Sequence, residues 1–272
     1  MSRLIVSPTV FVVAKTTVDE FQLNDWAAFN DLDHTEDTPI SLLLDETEDA
    51  GSHRLVEFAG RHCYRAWNAG RERQEYINNI IAQNHGSVLE HANLTFAIQG
   101  VSRTLTHELV RHRVGVAISQ ESQRYVDGKD IQFVIPPLVL HISKGVTDPA
   151  HDLIIEFEEQ CLRDLRDYIE FQSQLRMALA NTSRERMTII KKRINEAARS
   201  RLPNAAETRL TWTANIRLLR HFFDMRGSEH ADLEIRRLAC ALHDAVTEHA
   251  PAFFKDYVQE PGEFGVNNVV RR

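Results

Sequence analysis

The stretch Arg111–Tyr125 reads RHRVGVAISQESQRY. It gathers Arg111, His112, Arg113 and Arg124 around Ser119, Gln120, Ser122 and Gln123. Guanidinium forks donate paired, planar hydrogen bonds that match the oxygens of a phosphate. Serine hydroxyls and glutamine amides add neutral donors to such a cradle. A basic helix end followed by a polar loop would also supply three arginines, so the arginines alone decide nothing. Two further regions carry similar material. One is HGSVLEH, His85–His91; the other is ARSRLP, Ala198–Pro203, followed by TRLTWTANIRLLRHFFDMRGSEH, Thr208–His230.

Metal chemistry is a poor fit to these residues. His85, Glu90 and His91 lack further ligands at useful spacing. The run His107–His112 resembles a zinc-protease helix, but its histidines stand five apart rather than four. At ~100° per residue they diverge by about 140° on a helix and cannot share one ion. Ser122 lacks a His–Asp pair to activate it as a nucleophile. The expected metal complement is none.

The chain of 272 residues carries a net charge of -7, which argues against a nucleic-acid coat or a membrane-surface binder. Between Arg184 and Arg226, however, eleven Lys or Arg face four acids. A local basic zone on an acidic chain suits a small anionic ligand. Cys63, Cys161 and Cys240 stand far apart with no C-x-x-C pair, so neither a disulfide framework nor a zinc ribbon is expected. The apolar run Leu4–Ala14 is short and interrupted by Pro8, unlike a signal peptide. No stretch reaches 18 uninterrupted apolar residues. A cytoplasmic protein is expected.

These residues need elements to position them. The pattern predicts a strand pair over Arg3–Lys15, an acidic loop over Asp31–Asp49, and helices over Ser52–Trp67 and Arg71–Asn84, with Gly86 as stop signal. Leu94, Phe96 and Ile98 alternate with polar or small residues, which predicts a half-buried strand. A helix from Ser102, as N-cap, to about Arg113 follows. Ile131–Ile135 and Thr208–Thr213 read as strands. Helices are expected from Asp148-Pro149 onward, over Ser183–Arg201, over Asn215–Arg226 with Gly227 just beyond, and over Ala231–His249. The fold class is α+β, helix-rich, with a mixed or antiparallel sheet. No linker divides the chain, so one domain spanning residues 1–272 is expected.

With its spacing, the first stretch resembles the signature of flavin-dependent thymidylate synthases: R-H-R, seven residues, then Ser, followed by x-R-Y. HGSVLEH resembles that family's H-x-[ST]-x-x-E-H segment. The C-terminal pieces resemble its A-R-x-x-L-P and T-x-x-x-W-T-x-N-x-R…R-x-x-x-H pattern. The three matches stand in chain order across about residues 52–252. One departure is present: eight residues, Val114 to Glu121, separate Arg113 from Ser122. An extra residue in extended chain flips later side chains unless a bulge absorbs it, and Gly115 is placed for one.

The resemblance implies a non-Rossmann flavoprotein that methylates C5 of dUMP. FAD is the implied cofactor, with NADPH and methylenetetrahydrofolate as co-substrates. It implies that Glu108, Arg111, Gln120, Glu121, Ser122, Gln123, Arg124, Arg199 and Arg226 meet the nucleotide, with Arg226 the catalytic residue. Ser87, Glu90, Arg111, His112, Arg113, Gln120, Asn215, Arg217, His221 and His230 would meet flavin. It further implies a homotetramer with active sites between subunits. An argument from the residues runs the same way: Arg217 and Arg226 are nine apart, pointing to nearly opposite faces of one helix, as if serving two sites. Leu218, Leu219, Phe222 and Met225 then need burial. Two other readings stay open. The altered spacing allows a C5 methylase of UMP, like related enzymes of nucleoside-antibiotic pathways, and the basic zone allows a non-catalytic nucleotide- or RNA-binding protein.

Overall fold

The computed structural model describes residues 3–30, 32, 50–67, 70–145, 149–180 and 186–272. Most of the expected acidic loop and the expected start of the Ser183–Arg201 helix lie outside those residues. The frame is a four-stranded antiparallel sheet of β2 (Thr9–Lys15), β3 (Asn93–Ser102), β6 (Glu207–Asn215) and β4 (Val116–Gln120), in that order. Alternation sets its two faces. Leu94, Phe96 and Ile98 turn inward, as do Leu210, Trp212 and Ala214 across the ladder. Phe96 and Ile118 flank Trp212 as its cross-strand partners, and Trp212 is fully buried.

Helices α8 (Ile216–Arg226) and α9 (Leu233–His249) cover that inner face. Leu218, Leu219, Phe222 and Phe223 of α8 are buried in the same cluster, as are Ile235, Leu238, Leu242 and Val246 of α9. The Phe222 ring lies 5.3 Å from that of Trp212. Burying each of these aromatics contributes ~1.5–3 kcal/mol. Met225 differs from expectation: it is exposed, because Leu218, Leu219 and Phe222 already fill the buried stripe.

Among the described residues the remaining α-helices are α1 (Glu20–Phe29), α2 (Ala50–Tyr64), α3 (Arg73–Ala82), α4 (Arg103–Leu109), α5 (Pro137–Gly145), α6 (Pro149–Ala180) and α7 (Met187–Ala198). The long α6 packs with α7 around Cys161, Leu165, Tyr168 and Ala198, forming a second core. Short pairs complete the fold: β1 (Leu4–Ile5) with β5 (Phe133–Val134), and β7 (Tyr257–Glu260) with β8 (Asn268–Arg271).

Several expectations need correction. The N-terminal strands do not pair with each other; β1 runs parallel to β5 while β2 pairs with β3. Helix α3 is closed by Asn84 in the left-handed region (φ 55°), and Gly86 instead opens a 3-10 turn, Gly86–His91. Helix α4 ends at Leu109 rather than Arg113, freeing His112 and Arg113 from helical directions. No bulge interrupts β4: its register with β6 is continuous from Val116 to Gln120. Gly115 absorbs the geometry one step earlier, as a turn residue at φ 73°.

Candidate functional site

The site is built on the two ends of α8. At its start, Asn215 closes β6 and caps the helix, its Oδ1 accepting from the Leu218 amide at 2.8 Å. The same residue backs onto Gly115, whose carbonyl accepts from the Asn215 amide at 3.0 Å. A Cβ at Gly115 would come within 2.2 Å of the Asn215 amide nitrogen, so only glycine fits this turn. The cap that orders α8 and the loop that delivers Arg111–Arg113 are thereby locked together.

One turn onward, Arg217 donates to Glu90 at 2.5 Å. Glu90 lies on the 3-10 turn that also carries exposed Ser87. Glu90, Val114, Asn215, Arg217, Leu218 and His221 line one groove of about 330 Å³. Four expected flavin contacts therefore share a single cleft. The His221 ring stands 6.2 Å from that of His112, which rests edge-on against Phe222 at 5.2 Å.

At the far end of α8, Arg226 is held twice. Its Nη1 donates to Glu108 at 2.6 Å and its Nε donates to His112 Nε2 at 3.2 Å. Arginine has no lone pair to offer, so His112 Nε2 must be unprotonated. The environment agrees. Burial, then the Arg226 charge, then His221, push the His112 pKa down to about 4. A half-buried guanidinium is thus fixed by a carboxylate and a neutral imidazole.

Glu90, Arg217, His221, His112, Arg226 and Glu108 consequently form one row along α8. Arg217 and Arg226 engage different partners, Glu90 towards the start of α8 and Glu108 with His112 at its end.

A second group surrounds the loop after β4. Gln120 is tied inward, donating to the hydroxyls of Thr106 and Thr208 at 3.1 Å each. Arg124 meets Glu196 of α7 at 3.0 Å. Asn195, oriented by Gln172 at 2.8 Å, donates to the Arg124 carbonyl at 3.4 Å. Arg103, which the sequence reading missed, reaches the Glu121 carbonyl, Gln123 and Thr208, each at 3.4 Å. Burial and the neighbouring Arg199 cation both hold Arg103 below the usual arginine value. Arg103 thus lies beside a second cation and is held by long bonds. A signal existed: Arg103 opens α4, where the helix dipole disfavours a cation.

Among the described residues, Arg111, Arg113 and Arg199 are exposed and have no ion-pair partner. Ser122 receives a backbone bond from Arg124 at 3.4 Å. His230 does not join the row; its side chain is 88% exposed and lies 3.8 Å from Glu229. Among the described residues no three His, Cys, Asp or Glu cluster as for a metal, and no helix is long and apolar enough to cross a membrane.

Comparison with known proteins adds an independent line. A family model described as "Thymidylate synthase complementing protein" matches residues 42–252. The chain is 45% identical over 218 residues to "Flavin-dependent thymidylate synthase" of Mycobacterium sp. (strain JLS), covering 78% of this chain and 82% of that one. It is 43% identical over 215 residues to the protein so named from Mycolicibacterium vanbaalenii, and 42% over 215 residues to that of Mycobacterium tuberculosis (strain ATCC 25177 / H37Ra), each with the same two coverages. The match extends through every element that carries the row along α8 and the loop after β4, and the chain belongs to the flavin-dependent thymidylate synthase family.

Proposed function

We propose that the protein methylates C5 of dUMP, taking the carbon from methylenetetrahydrofolate and the reducing equivalents from NADPH through FAD. The observation that carries this reading is the double hold on Arg226. Uracil C5 is a weak nucleophile while N3 keeps its proton. Losing that proton moves electron density toward C5 and leaves an anion on the ring. A guanidinium already held in place stabilises that anion without reorganising. Glu108 and His112 supply the hold; Glu108 shares the guanidinium charge, whereas His112, being neutral, takes none of it.

The groove donors fit a flavin dinucleotide. Arg217 offers a cation, Asn215 and His221 offer polar edges, and Val114 with Leu218 offers an apolar wall. Such a group, when bound, supplies hydride chemistry that no side chain provides. No dinucleotide-binding Rossmann unit is needed, because the groove lies between a helix, a turn and a strand end. Arg103, Arg111, Arg124 and Arg199, with Ser122 and Gln123, are assigned to the nucleotide phosphate. Sites completed between subunits of a homotetramer are part of this reading. The whole chain acts as one domain in the cytoplasm.

Purified protein should be yellow, and NADPH should bleach it faster when dUMP is present. With methylenetetrahydrofolate added, dTMP should appear in chromatographic assays. A colourless protein that cannot be reconstituted with FAD, or one that turns over only UMP, would overturn this assignment. The eight-residue spacing after Arg113 makes the dUMP–UMP comparison the informative one.

A further inference from the structure

The hairpin β7–β8 lies beyond residue 252, where the family match ends, yet it grips the helix that carries the site. The grip uses one stripe of α8: Arg220, Asp224 and Gly227. Arg220 is nearly buried, donating to the Phe253 carbonyl at 2.5 Å and to both oxygens of Asp256 at 2.7 and 2.5 Å. Burial would raise Asp256, but its bonds to Arg220 prevail and hold it below the usual carboxylate value. Asp224 accepts from the Tyr257 hydroxyl at 2.7 Å and from Arg271 at 2.9 Å. At Gly227 the backbone approaches β8 closely. The Val269 amide donates to the Gly227 carbonyl at 2.9 Å, and a Cβ there would lie 2.6 Å from the Val269 oxygen.

The adjacent stripe of α8 carries Arg217 and His221. Both stripes meet in a second pocket, of about 210 Å³, lined by Gly86, Arg217, Arg220, His221, Asp224 and Arg271. It shares Arg217 and His221 as lining with the 330 Å³ groove. Asp224 is the one carboxylate on this wall, and Arg271, from the hairpin, neutralises it.

We propose that the C-terminal hairpin is part of the cofactor site: Arg271 masks Asp224 so that the wall shared with Arg217 and His221 accepts the anionic, pyrophosphate-bearing portion of a dinucleotide. The inference rests on the reading of the groove as a flavin site. Arg271 acts through Asp224 and is a positioning residue. Without it, an unmasked carboxylate faces an anion across a pocket open to water, where screening keeps the penalty moderate.

The test uses the full-length protein, FAD and dUMP. Dissociation constants come from quenching of flavin fluorescence and from equilibrium dialysis of the nucleotide, alongside thermal midpoints. R271A should weaken FAD binding about fivefold, the scale of one partly screened charge pair, and leave dUMP binding unchanged. R271A combined with D224N should restore FAD binding to within about twofold of wild type, because no charge remains to mask. Equal FAD affinity of R271A and wild type would overturn the proposal. So would a double variant as weak as R271A, which would make the pair a mechanical prop. A wild-type protein that binds no FAD would overturn the reading of the groove and this inference with it.

Discussion

The arginines of α8 and those flanking β4, together with Arg103 and Arg199, are held differently. Arg217, Arg220 and Arg226 each hold a carboxylate of their own chain: Glu90, Asp256 and Glu108. Among the described residues, Arg111, Arg113 and Arg199 hold none and Arg103 is pressed by Arg199; Arg124 is the exception, meeting Glu196 at an exposed position. A paired guanidinium keeps its place but presents little net charge. An unpaired one presents its full charge but is not fixed until an anion arrives. The first arrangement suits a group that must be aimed at a ring before reaction. The second suits capture of a substrate that brings its own negative charge. One residue type thus serves orientation in one region and attraction in the other, and the difference lies in the neighbouring carboxylates.

That contrast is broken most severely at Arg226. R226A should lower the rate of dTMP formation by ~10²–10³-fold, the scale of removing one preorganised donor. Nucleotide affinity should fall far less, because the phosphate contacts lie elsewhere. Single-turnover kinetics separate the two quantities. If R226A instead raised the nucleotide's dissociation constant and spared the rate, Arg226 would belong with the capturing arginines.

R199A should do the reverse. Losing a charge-assisted contact with phosphate raises the dissociation constant for dUMP about tenfold to a hundredfold. It should also flatten the dependence of binding on salt, since an unpaired cation contributes most of its attraction at low ionic strength. Calorimetric titration at two salt concentrations measures both effects. A change confined to the rate would remove the distinction between the regions.

A smaller effect is expected where the regions join. G115A places a Cβ at a left-handed backbone position and 2.2 Å from the Asn215 amide. A strain of ~1–3 kcal/mol should appear in denaturant unfolding. Because Asn215 caps α8, FAD affinity should fall together with stability. An unaltered unfolding curve would mean that the loop and the cap move independently.

Much of this frame is legible in the sequence, for reasons that differ by element. The period-two alternation of Leu94, Phe96 and Ile98 gave β3, since one face of the sheet is buried and the other is not. Ser102 was recognisable as an N-cap, and its hydroxyl does accept from the Leu105 amide at 3.1 Å. The signature residues were recognisable by type and spacing. What escaped was set by distance along the chain. The pairing of β1 with β5 joins residues over 125 positions apart, and nothing local encodes it. The hairpin Tyr257–Arg271 was missed because its strands have four residues each, too few to show a period. Arg103 was passed over because Thr208 and Arg199, its surroundings, come from the other half of the chain. Helix spacing set Arg217 and Arg226 apart, but it says nothing about a ring such as His112 inserted from elsewhere to hold Arg226.

His112 sharpens the comparison most finely, because it is the neutral partner in the hold on Arg226. Its pKa, pushed down from 6.5 to about 4, has a defined consequence for stability. Between those values the unfolded chain binds a proton that the folded chain refuses. The contribution of neutral His112 is therefore complete above about pH 6.5 and is lost progressively as pH falls toward 4. Below that, the Arg226 cation and a protonated ring would face one another, and the bond from Arg226 Nε would have no acceptor. H112Q keeps a carbonyl oxygen that accepts but does not titrate. Its thermal midpoint should decline less steeply than wild type from pH 6.5 to 4, with the two curves parallel above pH 7. Curves parallel throughout would place His112 in ordinary solvent, and Arg226 would then be oriented by Glu108 alone.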